Sequence, residues 1–171
     1  MILGLVGSEM CIRDSDSTWI EPSSDVINLL YDSNYSMEVN YGWNLLSSDW
    51  LIRIYLSGGS PREVIFNNSK IMQAYIFGDG SGNSFRFCVD DNFPNSSSSN
   101  HEVSPWYAID WVGWKLVSWD MSMDGTGSWI GDGNLDGNMR FDSFQLKYNP
   151  GQSQFGKIYI DDFRIVDNVI L

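Results

Sequence analysis

The pattern of hydrophobic and polar positions predicts strands along most of the chain. After residue 20 no segment sustains a helical period, and the nearest candidate, Asp25–Tyr31, is too short to predict a helix. Short β-branched and aromatic runs recur instead, bounded by Gly, Asn, Asp, Ser and Pro. The predicted strands cover residues 35–41, 50–57, 70–77, 84–90, 113–120, 141–148 and 156–166. Seven strands joined by turn-forming loops predict an all-β antiparallel fold, either a two-sheet β-sandwich or a barrel.

Alternation within these strands separates two faces. In the strand predicted over 50–57, Ile52 and Ile54 share one side, and Arg53 and Tyr55 share the other. The same alternation sets further polar residues opposite apolar rows in two other strands, namely Arg86, Gln145 and Lys147. A sheet face that collects such residues could bind a ligand, or it could simply be solvated. Alternation alone leaves both interpretations open.

Composition changes this picture in two ways. The 171 residues carry 22 acidic and 10 basic side chains, a net charge of −12, which argues against nucleic acid or an anionic membrane as a partner. Eight tryptophans, eight tyrosines and nine phenylalanines exceed what a core of this size usually needs. The surplus predicts aromatic side chains on a surface or in a cleft, where their faces suit flat, partly apolar ligands such as sugar rings.

The N-terminal segment is interpreted apart from the rest. Its apolar run is short, has no basic residues before it and is followed by Glu9 and Arg13, so it fits neither a signal peptide nor a membrane span. Residues 5–15, LVGSEMCIRDS, resemble the translated mosaic-end adapter of transposon-based sequencing libraries, as in a reading frame from a metagenomic fragment. We therefore expect residues 1–15 to be non-native and residues 16–171 to form a single domain that lacks its first strand. Cys88 is then the one natural cysteine, so no disulfide within the chain is expected.

The loop Gly78–Asn83, GDGSGN, allows three interpretations. A phosphate-binding loop is disfavoured because no lysine follows, and because residues 84–89 predict a strand where a helix N-terminus is needed. An EF-hand-type calcium loop lacks the glycine at its sixth position and would end inside that strand. Residues 132–137, DGNLDG, match the first half of such a loop and likewise run into a strand. Both segments are more simply turns, and the first predicts a hairpin.

Groups suited to catalysis are scarce. His101 is the single histidine, which argues against zinc catalysis and against Ser-His-Asp or Cys-His triads. Asp161 and Asp162 are adjacent in the last predicted strand, where neighbours face opposite sides unless a bulge intervenes, so they do not form a carboxylate pair for glycoside hydrolysis. Either acid could be a structural metal ligand or a partner of Arg164. The residues alone leave both possibilities open.

Several short motifs occur in an order that resembles a known family. They are Trp19-Ile-Glu-Pro-Ser-Ser, the segment 37–43 (MEVNYGW), the loop 75–83 (YIFGDGSGN), the strand 111–117 (WVGWKLV) and the closing strand 158–163 (IYIDDF). Together they resemble the galactose-binding-like jelly-roll modules of carbohydrate-binding type in bacterial secreted and cell-surface proteins. Each motif is unspecific alone, and their order covers nearly everything from Trp19 to Val166.

The resemblance implies a function and a metal. Such modules are usually non-catalytic, bind a saccharide on a concave sheet face and are tethered to a larger multidomain protein. Secretion or a cell-surface location is implied in the same way. Many hold a structural calcium ion on an acid of the closing strand, which corresponds here to Asp161 and, less surely, Asp162. The missing first strand would remove another calcium ligand.

Three functions are therefore open before the structure is considered. The first is a carbohydrate-binding module for a poly- or oligosaccharide, the second a structural or adhesion spacer of a surface protein, and the third a carboxylate-based glycan-active enzyme. The residues predicted to face the sugar in the first case are Arg53, Tyr55, Tyr75, Arg86, Trp119, Gln145 and Lys147. The spacer predicts that Arg53, Tyr55, Arg86 and Trp119 do not converge in one concavity, and the enzyme requires two acids facing each other across a groove.

Overall fold

A computed structural model describes residues 8–13, 18–31, 34–48, 50–56, 64–95, 97 and 100–168. Eleven strands run through this part of the chain: β1 Ser8–Arg13, β2 Trp19–Ser23, β3 Ser36–Gly42, β4 Leu51–Leu56, β5 Lys70–Asp79, β6 Ser84–Asp90, β7 His101–Val103, β8 Tyr107–Ala108, β9 Val112–Asp120, β10 Arg140–Lys147 and β11 Phe155–Asp167. One 3₁₀ turn, Leu29–Tyr31, follows β2. No helix in the described residues is long and apolar enough to cross a membrane.

The strands form two sheets in which every pair is antiparallel. Sheet I has the order β1-β4-β10-β6-β7, and β8 also pairs with β6. Sheet II has the order β2-β3-β11-β5-β9. Chain neighbours such as β3 and β4, or β5 and β6, therefore lie in different sheets. This arrangement is a β-sandwich, and the all-β antiparallel fold predicted from the strand pattern is confirmed.

The core lies between the inner faces of the two sheets, as alternation predicted. Ile52, Ile54, Phe144 and Leu146 of sheet I are all at most 1% exposed. From sheet II the inward side chains that are fully buried are Val39, Met72, Ala74, Ile76, Trp119 and Ile158. An apolar residue at every second position thus covers one face of each sheet, and the other face is free to carry polar residues.

A bulge in β11 sets how this core is closed. The register of β11 against β5 shifts between Asp161 and Arg164, and Asp162 has a φ of 47°. The inward positions are therefore Ile160 and then Phe163, three residues apart instead of two. Phe163 meets Phe141 and Phe144 of sheet I, with ring centroids 4.4 and 5.2 Å apart. The bulge at these two adjacent acids therefore turns the Phe163 side chain into the space between the sheets.

The loop GDGSGN does not form the hairpin that the sequence predicts. It leads from β5 in sheet II to β6 in sheet I, so it is a corner between the sheets. Gly80 and Gly82 have φ values of 67° and 73°, which explains glycine at both positions. The hairpin prediction is wrong because turn residues specify a change of direction, whereas the partner of the next strand is decided by packing.

Asp79 holds this corner in place. Its Oδ2 accepts hydrogen bonds from the Tyr41 hydroxyl at 2.6 Å and from the Lys157 backbone N–H at 3.0 Å, and its Oδ1 accepts from the Ser81 N–H. Burial, together with the charge of Asp79, raises the pKa of Tyr41 well above its ordinary value, so the hydroxyl stays protonated and donates. The carboxylate therefore links three separate segments of the sandwich.

The seven predicted strands are all present, and four further strands are not among the predictions. β2 contains Pro22, β7 has three residues and β8 has two, which are weak signals in any sequence pattern. β1 lies inside the segment assigned to adapter sequence and pairs its backbone with β4. The foreign origin of residues 1–15 and the domain limits of 16–171 stay predictions.

Replacement of Phe163 by alanine tests the inter-sheet contact. We expect the free energy of unfolding to fall by about 3–5 kcal/mol, because the change leaves a cavity between two packed sheets. Phe155→Ala is the matched control on the same strand, since Phe155 is 63% exposed. Urea unfolding followed by tryptophan fluorescence measures both. Equal, small effects of the two changes would contradict this account of the core.

Replacement of Asp79 by alanine tests the corner. We expect a loss of about 2 kcal/mol or more in the free energy of unfolding, since the buried Tyr41 hydroxyl and a backbone N–H lose their acceptor. The exposed Asp110→Ala variant should unfold like the unchanged chain. Any glycan affinity of the folded Asp79 variant should persist. A stable Asp79→Ala variant would show that the carboxylate does not hold the corner.

Candidate functional site

The outer face of sheet I gathers most of the residues predicted to contact a ligand. Arg53 on β4 and Arg86 on β6 both pair in register with Gln145 on the strand between them. Tyr55 and Lys147 lie on the same face, one level away on either side. Five of the seven predicted side chains are thus brought together by three adjacent strands. Period-two alternation was sufficient to predict this face because the strands are regular here.

Tyr75 and Trp119 are not part of this group. Tyr75 lies on β5 in sheet II, on the side opposite the inward residues Ala74 and Ile76. Trp119 is fully buried in the core, and its indole N–H donates to the Gly125 carbonyl at 2.9 Å. Their assignment to the same ligand face was wrong. Alternation does not tell which sheet the strand of Tyr75 joins, and Trp119 continues the inward row of Val117.

Arg86 is the most buried cationic group that the structure describes on this face. It is 2% exposed, and its Nε donates to Gln145 Oε1 at 2.8 Å while Nη1 donates to the Ser128 carbonyl at 3.1 Å. The guanidinium carbon lies 3.9 Å from the centroid of the Trp106 ring, which is stacking distance. Burial lowers the pKa of Arg86 to about 10, and the group remains charged at neutral pH.

Two tryptophans from loops cover the same face. Trp106 lies between β7 and β8, and Lys147 Nζ is 5.2 Å from its ring centroid. Trp129 lies in the long loop between β9 and β10, with the guanidinium carbons of Arg53 and Arg86 at 5.5 and 5.8 Å from its ring. The sequence analysis missed both. The available signal was a tryptophan directly after Ser-Pro or Gly-Ser, outside every predicted strand.

These side chains border an open cavity of about 420 Å³, a size typical of small-ligand sites. Its walls are aromatic and its polar groups are cationic or neutral. The lining residues are Ser48, Trp50, Leu51, Arg86, Trp106, Ser128, Trp129, Lys147, Tyr148 and Pro150. Beside Arg86, Gln145 is fully buried, and its Nε2 makes no hydrogen bond to the described residues. The cavity therefore combines flat apolar faces with donors of hydrogen bonds.

A charged network adjoins the cavity at Arg53. The fully buried Asp142 accepts from Arg53 Nη2 at 2.5 Å and Nε at 3.1 Å, and from Ser143 Oγ at 2.6 Å. Burial alone would raise the pKa of Asp142, but the hydrogen bonds and charge of Arg53 outweigh burial and hold the pKa below its ordinary value. His101 Nε2 lies 3.7 Å from Asp142 Oδ1. The network fixes the Arg53 side chain on the sheet.

Asp90, His101 and Asp142 offer donor atoms within 4.8 Å of one another, close enough to hold a metal ion. The set does not suit calcium, since it includes a histidine nitrogen, which calcium rarely takes. Both carboxylates also accept hydrogen bonds from guanidinium groups, Asp90 from Arg140 and Asp142 from Arg53. A cation here would have to displace those contacts.

Asp161 and Asp162, the predicted calcium ligands, lie in the bulge of β11 on sheet II. Asp162 Oδ2 accepts from Arg164 Nη1 at 2.8 Å, and Asp161 Oδ1 accepts from the backbone N–H of Asp162 at 2.7 Å. Burial raises the pKa of Asp162, and Arg164 opposes that shift. Among the residues described, neither acid belongs to a group of three metal donors. The pairing with Arg164 is observed, and a calcium ion at this position stays a prediction.

Comparison with known proteins supports the fold. No protein-family profile and no curated protein matches this chain. Among solved structures, it is similar to a family 11 carbohydrate-binding module from Clostridium thermocellum in complex with a β-1,3-1,4-mixed-linked tetrasaccharide, with a TM-score of 0.61 and 18% identity over 96% of this chain and 91% of that one. A family 11 module of the cellulosomal cellulase Lic26A-Cel5E of the same organism has a TM-score of 0.60 at 12% identity, covering 96% and 89%.

A family 30 carbohydrate-binding module is similar too, with a TM-score of 0.58 at 12% identity over 99% of this chain and 85% of that one. These likenesses show that the chain has the jelly-roll β-sandwich fold of carbohydrate-binding modules. The fold predicted from the order of its motifs is confirmed.

The pH dependence of stability tests the Asp142 network. The unfolded state protonates Asp142 near its ordinary pKa of 3.8, whereas the folded state protonates it only at lower pH. Stability from this group is therefore present above about pH 4 and is lost as the pH falls through the folded pKa. We expect the free energy of unfolding to fall less steeply with acid in Asp142→Asn than in the unchanged chain. If the free energy of unfolding fell equally steeply with acid in both chains, the stabilising role of Asp142 would be contradicted. The exposed Asp110→Asn is the control variant.

Proposed function

We propose that the chain is a non-catalytic carbohydrate-binding module that binds a poly- or oligosaccharide on the outer face of sheet I. The observation that carries the proposal is the cavity bordered by Trp50, Trp106 and Trp129 with Arg86 and Lys147 between them. Aromatic faces bind the C–H faces of pyranose rings, and charged donors bind their hydroxyl groups. This combination is the chemistry a sugar chain requires.

The way in which the site is built also supports binding. Arg86 and Gln145 lie on neighbouring β-strands and are hydrogen-bonded to each other, so their donors are oriented before a ligand binds. Preorganised groups lose less entropy on binding than mobile ones. The similar structures are described as carbohydrate-binding modules, and one of them is in complex with a tetrasaccharide. In the same proposal the module serves as an accessory part of a larger secreted or cell-surface protein.

The two alternatives have less support. The cavity lining, as far as the structure describes it, contains no Asp or Glu, whereas carboxylate-based glycoside hydrolysis needs two acids facing each other. A mere spacer needs no convergent site, yet Arg53, Tyr55 and Arg86 share one face, while Trp119, the fourth residue of that test, lies in the core. Binding therefore accounts for more of the described side chains than catalysis or spacing does.

Replacement of Trp129 by alanine tests the proposed site. We expect at least about a tenfold loss of affinity for the polysaccharide that the chain binds, because stacking area is removed from the cavity wall. Affinity electrophoresis against a panel of neutral and uronic-acid polysaccharides identifies that polymer and measures the loss. Trp19→Ala is the matched control, since Trp19 is 48% exposed on the edge strand of sheet II.

Two results would count against the proposal. Absence of retardation by every polysaccharide of the panel would contradict carbohydrate binding itself. Retardation that Trp19→Ala abolishes and Trp129→Ala leaves intact would place the binding surface on sheet II.

A further inference from the structure

The cavity is positively charged in a strongly acidic chain. The protein carries a net charge of −12, yet the cavity lining includes Arg86 and Lys147 and, within the described residues, no carboxylate. A neutral sugar needs no such excess, since its hydroxyl groups are also bound by amides and carboxylates. The local charge therefore needs an explanation of its own.

Arg86 differs from the other arginine side chains that the structure describes. Arg53, Arg140 and Arg164 each form an ion pair with an aspartate, at N–O distances of 2.5 to 2.8 Å. Arg86 is the most buried of the four and donates only to neutral acceptors, the Gln145 side chain and the Ser128 carbonyl. A buried charge without a counter-charge is costly to keep, and stacking on Trp106 offsets only part of that cost.

Lys147 brings a second positive charge to the same place. It lies two residues after Gln145 on β10, and its Nζ approaches the same indole ring that Arg86 stacks on. No ion pair joins Lys147 to a carboxylate in the described part of the chain. Two cations held around one tryptophan repel each other, and an anion that lies between them removes that repulsion.

We propose that the cavity selects an acidic saccharide, with a uronic acid residue stacked on the aromatic wall and its carboxylate bound between Arg86 and Lys147. This inference rests on the proposed carbohydrate-binding function and narrows it to one ligand class. A carboxylate matches the planar guanidinium and the ammonium group, whose hydrogen bonds to charged acceptors are roughly twice as strong as those to neutral ones. The negative charge of the remaining surface favours short oligosaccharides over long polyanions.

Calorimetry with the full chain and two matched ligands tests this inference. One ligand is a uronic acid oligosaccharide, and the other is the same oligosaccharide after carboxyl reduction, which keeps its rings and linkages. We expect the uronate form to bind at least about tenfold more tightly. Lys147→Gln should remove most of that difference. Lys115→Gln should not, because Lys115 stands on β9 of sheet II and does not line this cavity, although it too lies over an indole ring, that of Trp111.

Each outcome separates the two proposals. If both ligands bind equally and Lys147→Gln has no effect, the acidic-sugar inference is wrong and carbohydrate binding stands. If neither these ligands nor any neutral polysaccharide binds, both proposals fail. A loss caused equally by Lys115→Gln would indicate unspecific attraction of anions and would also overturn the inference. Because Lys147 is partly exposed on the sheet surface, its replacement tests the site without emptying the buried Arg86 position.

Discussion

The contact between the two sheets through Phe163 is the constraint on which the rest of the structure depends. The bulge at Asp161 and Asp162 shifts the phase of β11, so that Phe163 points inward and meets Phe141 and Phe144 of β10. Because β10 is the middle strand between β4 and β6, its inner face is held in register with both neighbours. The outer face of the same strand then carries Gln145 and Lys147 at fixed positions.

The outer face of sheet I shows how one strand serves packing and recognition together. Phe144 and Leu146 fill the core, while Lys147 lines the cavity and Gln145 holds Arg86, another residue of its lining. Arg53 and Arg86 flank Gln145. Arg53 forms an ion pair with Asp142, whereas Arg86 donates to the neutral Gln145 side chain. This difference in pairing, and not the number of charges, gives the cavity its positive character.

Much of the site was predictable from the sequence, because the alternation of side chains along a strand depends only on the local backbone. Arg53, Arg86 and Gln145 were predicted on polar faces because period two is a property of the extended backbone itself. The phase shift in β11 is also visible in the sequence, where Ile158 and Ile160 are followed by Phe163 and not by residue 162. By contrast, the prediction that Trp119 faces the ligand was wrong, because a tryptophan two positions after Val117 continues an inward row.

The sequence by itself determined seven of the eleven described strands, the alternating faces of β4, β6 and β10, and the acidic charge. Only the tertiary structure decided which strands share a sheet, and so it separated Tyr75 from Arg86 and converted the GDGSGN loop from an expected hairpin into a corner. It also brought Trp106 and Trp129 from distant loops onto one sheet face. The physical reason is range: backbone periodicity acts between neighbours in the chain, whereas pairing and burial depend on contacts between segments far apart in it.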